Sequence, residues 1–185
     1  MEANTETNCT RRASGLSCEN MSPSPPSAAA RLCGACGMCC DGVLFHSVEL
    51  QPGDSASALS AAGLRIKRKA GREFFLQPCA AYRECRCAIY DRRPERCRLF
   101  NCRQLLRVTE DAAAETSALE KIAEARSLVS RVNALINRLA ETNPNRALAQ
   151  RCANALTTSD WTPLHDELQA TMRELETQLA RDFRL

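Results

Sequence analysis

Residues 33–40 read Cys33-Gly34-Ala35-Cys36-Gly37-Met38-Cys39-Cys40, a CxxCxxCC run. Two residues between cysteines let both thiolates turn toward one ion, and glycine at 34 and 37 supplies the backbone freedom such a turn needs. Outward from this run come Cys79, Cys87, Cys97 and Cys102. These positions make up eight of the chain's 12 cysteines, and Cys85 falls in the same interval. Neighbouring side chains point in different directions. Cys39 and Cys40 are therefore expected to serve two metals, or one to bind while the other supports.

Composition points the same way. The 185 residues suit one domain, or a small domain with an appendage. Only 4% of residues are aromatic, and large apolar side chains are sparse in the first half. Such a half cannot build much core alone, so metal or disulfides must help hold it. The start, Met1-Glu2-Ala3-Asn4-Thr5-Glu6, lacks the basic residues and apolar run of a signal peptide. No stretch approaches the roughly 18 apolar residues of a membrane span. A cytoplasmic, reducing setting is the expectation, and it favours metal over disulfides.

Charge is uneven. The net is +3, but residues 31–109 hold 14 Lys/Arg against 7 Asp/Glu, and residues 110–185 hold 9 against 12. Eight thiolates carry more negative charge than one or two metal centres offset, so arginines nearby make electrostatic sense. The competing reading is a nucleic-acid patch at Arg65, Lys67, Arg68, Lys69 and Arg72.

Three segments are expected. Residues 1–30, rich in Ser, Pro and Ala, read as a disordered leader containing Cys9 and Cys18 as incidental thiols. Residues 31–109 read as the cysteine-cluster domain. In it, 33–42 form a ligand loop, and Val43-Leu44-Phe45 leaves it as a strand. Asp54 N-caps a helix through Ala62, with Gly63 to end it. A hairpin turns at Ala70-Gly71, Cys87–Tyr90 forms a strand, and Pro94 starts a helical turn carrying Cys97. Residues 110–185 read as an α-helical module. Leu119, Ile122, Val129, Val132, Leu135, Ile136 and Leu139 recur at helical spacing, and Asn143-Pro144-Asn145 stops that helix. A shorter helix follows over 146–156, with Cys152 as buried packing. Thr162 then caps a last helix with Pro163 at its first position. The fold class is α+β: a small metal-stabilised domain with short strands, followed by a helical hairpin whose apolar stripe is core, or in a minority reading a partner-binding face.

Pro78-Cys79, followed by Ile89, Tyr90, Arg93, Pro94, Cys97, Arg98, Phe100 and Cys102, adds a second pattern to the CxxCxxCC run. Together they resemble the YkgJ-like cysteine-cluster family, the zinc- or iron-chelating CxxCxxCC domain, over residues 33–102. The resemblance implies metal chelation in an intracellular, bacterial-type setting and no agreed reaction. The resemblance extends to members fused to, or similar to, modification enzymes with an iron–sulfur centre. Cys85 leaves open which of Cys85 and Cys87 is the ligand.

The candidate ligands are Cys33, Cys36, Cys39, Cys40, Cys79, Cys87, Cys97 and Cys102. They suit two tetrahedral ions, one four-iron cluster with spare thiols, or two clusters. Arg93 and Arg98 are candidate supporting donors, Tyr90 a candidate cover, and Asp41 a weaker orienting group. His46 and His165 are set aside. The chain lacks a phosphate loop, a Ser-His-Asp order, a His-Glu-x-x-His helix and a CxxxCxxC run, so no catalytic residue is named. The expectation is a protein binding zinc or iron, with an iron–sulfur cluster as one form, that supports redox or modification chemistry. The alternative is a structural zinc module that binds nucleic acid or a protein partner.

Overall fold

The computed structural model describes residues 27–84, 86–141 and 143–185. Cys9, Cys18 and Cys85, and all but the last four residues of the expected leader, lie outside them.

The chain enters through helix α1 (Ala28–Cys36). The Ser27 side chain accepts from the Ala30 N–H at its start, and Gly37 closes it at φ 66. The first two cysteines thus lie on the last turn of a helix, where a loop is expected. Gly34 is helical and needs no special backbone, whereas Gly37 does. A Cβ at Gly37 would fall 1.9 Å from the Tyr82 hydroxyl. The run stays compact because Met38 is fully buried beneath it.

Val43 and Leu44 are both buried and form no strand. The Val43 N–H donates to Asp41 Oδ1 and the Leu44 N–H to the Met38 carbonyl. Two consecutive inward side chains suit a folded-back loop better than an alternating strand. The first strand, β1 (Ser47–Glu49), begins three residues after Leu44.

Helix α2 (Ala56–Ala61) is capped by Ser55, not Asp54. Asp54 instead accepts from the Gln51 and Glu95 N–H groups, tying two loops together. Strands β2 (Ile66–Lys69) and β3 (Arg72–Leu76) form the expected hairpin. Ala70 and Gly71 both take positive φ, 49 and 74, the tight turn that matches strand twist. Strand β3 is central, in the antiparallel order β1-β3-β2, with Val48 and Ile66 both opposite Phe75. Strands β4 (Tyr82–Arg83) and β5 (Arg86–Cys87) pair separately. The strand expected at Cys87–Tyr90 stops at Cys87, and a 3-10 turn follows at Tyr90–Arg92. Helix α3 (Glu95–Leu99) starts after Pro94 and carries Cys97.

Four helices follow. Helix α4 (Arg103–Thr109) has no counterpart in the sequence reading. Helix α5 (Glu115–Arg138), α6 (Leu148–Ala155) and α7 (Pro163–Asp182) match it closely. At α7 the Thr162 side chain accepts from the N3 backbone, and the His165 ring returns a bond to the Thr162 N–H. Arg131 bonds Glu167, and Gln178 bonds Glu124. Residues rising along α5 therefore meet residues falling along α7, so the two helices are antiparallel. The fold is α+β.

Two apolar cores result. The larger joins Leu32, Met38, Leu44 and Leu105 to the inner faces of α5, α6 and α7, including Cys152. The smaller gathers Leu59, Leu64, Phe75, Ala81 and Ile89 around the sheet. Among the described residues no helix is long and apolar enough to cross a membrane.

Candidate metal centre

All eight candidate thiols line one cavity of about 1350 Å³. They come from five places: the end of α1, the loop after it, the loop after β3, strand β5, and the segment 97–102. None of the described cysteines is bridged.

The thiols divide into two groups. Cys36, Cys39 and Cys102 pack against the larger core. Cys79, Cys87 and Cys97 pack against the smaller one. Electrostatic neighbourhoods divide the same way. Cys33 senses Cys102, and Cys39 senses Cys36, Cys102, its chain neighbour Cys40, and Cys33. Cys40 senses Cys79, Cys87 and Cys97. Cys33, Cys36, Cys39 and Cys102 thus gather on one side, a first quartet, and Cys40, Cys79, Cys87 and Cys97 on the other, a second, with Cys39 and Cys40 in contact across the boundary. The adjacent pair Cys39-Cys40 is the hinge between them.

Backbone contacts clamp this hinge. The Cys79 N–H donates to the Cys40 carbonyl at 2.8 Å, which brings the second quartet together. The Leu148 N–H donates to the Gly42 carbonyl at 3.0 Å. Gly42 has φ 86, and a Cβ there would meet Ala147 Cα at 3.0 Å. Asp41 forms an ion pair with Arg126 of α5, fastening the loop to the long helix. Cys102 is fixed from the other side, because Arg103 N–H and Gln104 Nε2 donate to the Phe183 and Asp182 carbonyls at the end of α7.

Burial pushes the Cys36 and Cys40 thiols up to about 12 and Cys97 to about 11. Burial raises Cys33, Cys39 and Cys79 as well, and neighbouring thiolates add to the rise. Burial also raises Asp41, against the pull of Arg126. Arg93 is the cation that lowers both a first-quartet thiol, Cys33, and a second-quartet thiol, Cys97.

The supporting residues sort unevenly. Arg93 lines the cavity, donates to the Tyr90 carbonyl and lies 3.7 Å above the Tyr90 ring centroid. Arg98 is exposed and does not line the cavity, whereas Arg96 does. Tyr90 sits on the rim, 42% exposed, and is neither core nor a closed cover. His46 is exposed, His165 belongs to the α7 cap, and neither lines the cavity. Sequence reasoning missed Tyr82, packed on Gly37, and Gln77, two residues before Cys79. Only its place beside Pro78-Cys79 marked Gln77.

Eight soft sulfur donors with no nearby imidazole suit zinc or iron rather than calcium or magnesium. Among the described residues, no three His, Cys, Asp or Glu side chains converge tightly enough to hold an ion as they stand. The donor chemistry and the gathering into fours fit a thiolate-bound metal, and the sulfurs must draw inward around it.

No curated protein and no solved structure matches the chain. A family model described as "CxxCxxCC: Putative zinc- or iron-chelating domain" matches residues 32–130. That span takes in both quartets and runs on into α5 past Arg126, the partner of Asp41. With more than half its length covered, the chain belongs to the zinc- or iron-chelating CxxCxxCC family.

Proposed function

We propose that the protein binds two metal centres, one in Cys33, Cys36, Cys39 and Cys102 and the other in Cys40, Cys79, Cys87 and Cys97. The observation that carries this reading is that Cys36, Cys39 and Cys102 pack on one core and Cys79, Cys87 and Cys97 on the other, while all eight thiols line one cavity. Four thiolates satisfy one tetrahedral zinc or one iron–sulfur cluster. Two divalent ions offset only half the charge of eight thiolates, and Arg93 supplies a cation facing both groups.

As iron–sulfur centres the pair supports redox or modification chemistry. As zinc it holds a small fold together. Cysteines at metal-ligand spacing, rather than in a disulfide framework, favour a reducing compartment such as the cytosol. The basic hairpin offers less to nucleic acid than its sequence suggests, because Arg68 bonds Glu73 and Arg72 lies near Glu49.

The test is metal and acid-labile sulfide content, with an absorption spectrum, on protein purified without oxygen. Iron and sulfide in near-equal amounts with visible colour assign clusters, and colourless protein with zinc assigns structural ions. Protein that takes up neither zinc nor iron overturns the proposal.

A further inference from the structure

The outer rim of the thiol site carries positive charge that nothing on the chain neutralises. Arg86, Arg92, Arg96 and Arg98 are all exposed. Among the described residues none of the four forms an ion pair. Elsewhere exposed arginines meet carboxylates: Arg68 meets Glu73, Arg131 meets Glu167 and Arg181 meets Asp182. Arg86 and Arg96 border the cavity, whereas Arg92 and Arg98 lie outside it, away from the thiols. Arg93 is a separate case. It is half-buried, stacks on Tyr90 and lowers Cys33 and Cys97.

Apolar surface accompanies this charge. Tyr90 and Leu99 are two of the four large apolar side chains exposed among the described residues, and Leu99 is 69% exposed. Leu99 follows Arg96 by three residues on α3, so the two share a face of that helix. Arginine and tyrosine around an apolar contact are the residue types that protein interfaces concentrate.

Charge selects the partner. Residues 86–99 hold 5 arginines against 2 carboxylates, Asp91 and Glu95. Such a surface attracts an acidic face and repels a basic one. It suits a phosphate chain less well, because Asp91 and Glu95 interrupt the arginines. Arg93 also covers one face of the Tyr90 ring, where a base would stack.

We propose that this rim is a docking surface for an acidic protein partner, whose carboxylates pair with Arg86, Arg92, Arg96 and Arg98 around an apolar side chain seated on Leu99. A partner there covers the mouth of the cavity. The docking goes beyond the metal-binding reading and does not depend on which metal is held.

The experiment titrates full-length protein, with metal content measured on the same sample, into fluorescein-labelled probes followed by anisotropy. The probes are peptides alternating Glu with Leu, Glu with Ser and Lys with Leu, and a single-stranded DNA. The Glu/Leu peptide should bind, and its affinity should fall as salt rises from about 50 to about 500 mM. The Glu/Ser peptide should bind at least about threefold more weakly, and the Lys/Leu peptide and DNA at least about tenfold more weakly. Arg92→Glu with Arg98→Glu should weaken the Glu/Leu peptide about tenfold, and Leu99→Ser should remove its advantage over Glu/Ser. Lys67→Glu with Lys69→Glu makes the same change of net charge on the β2–β3 hairpin and should leave affinity within about twofold. Arg92→Lys with Arg98→Lys keeps the charge and should keep binding, which separates lost charge from lost fold. DNA or the Lys/Leu peptide bound as tightly as the Glu/Leu peptide, no binding of any probe, or equal loss in the rim and hairpin charge reversals would overturn the proposal. Protein purified without zinc or iron would count against the metal-binding reading instead.

Discussion

Cys39 and Cys40 are neighbours in sequence, yet they belong to different thiol groups. Single substitutions should therefore separate the two centres. Cys39→Ser should lose the first centre and Cys40→Ser the second, each lowering metal per chain by about half. Metal analysis of the two variants checks this. Equal loss of all metal in both would indicate one shared centre. Gly37 makes a second prediction at this scale. Its backbone is left-handed, and any Cβ collides with the Tyr82 hydroxyl. Gly37→Ala should cost about 2 kcal/mol or more, read from urea unfolding. The cysteines and Gly37 were legible because ligand chemistry and backbone freedom are properties of single residue types. Gly34 misled, because a glycine in a CxxC run looks the same in a helix as in a turn. Gln77 was illegible, since its burial comes from elements far along the chain.

At the scale of elements, legibility followed the strength of local signals. Helix α7 announces itself through Thr162, Pro163 and a long apolar stripe, and the structure follows. The β2–β3 hairpin is set by two residues that accept positive φ. Helix α1 is different. It buries chiefly Leu32, so it lacks the periodic stripe that betrays a helix, and its alanines follow a Ser/Pro-rich stretch that reads as tail. Helix α4 is short, and it is held by capping bonds to the end of α7 that no local pattern reveals. Asp41–Arg126 fastens the hinge loop to α5. Both groups are partly exposed, so the pair itself is worth about 1 kcal/mol. Asp41→Asn and Arg126→Gln should each destabilise by that order, and the double variant should cost less than their sum. A double-mutant cycle by chemical denaturation measures the coupling. A coupling indistinguishable from zero would remove Asp41 as the fastening of the hinge loop.

Across the whole molecule, two cores face one cavity, with a thiol group seated on each. The sequence made the helical core plain and the metal chemistry plain. It did not reveal that Leu32, Met38 and Leu44 from the cysteine region complete the helical core, because that packing joins residues about a hundred positions apart. The pH response follows from the thiols. Burial in the metal-free fold holds the Cys33, Cys36, Cys39, Cys40, Cys79 and Cys97 thiols above the 9.0 of an ordinary thiol, at about 12 for Cys36 and Cys40. A raised value means the fold prefers the protonated thiol, so this contribution is full below pH 9 and is lost as pH rises toward 12. Chelated protein should therefore unfold at lower urea at pH 10 than at pH 8. Metal uptake runs the other way: each thiol must release a proton, so apparent affinity falls as pH falls. The account rests most heavily on two separate four-sulfur centres, and X-ray absorption on the metal-loaded protein, with metals counted per chain, addresses that directly. The predicted result is two centres per chain, each metal in a shell made only of sulfur at about 2.3 Å. A single centre per chain, or a shell containing nitrogen or oxygen, would contradict it.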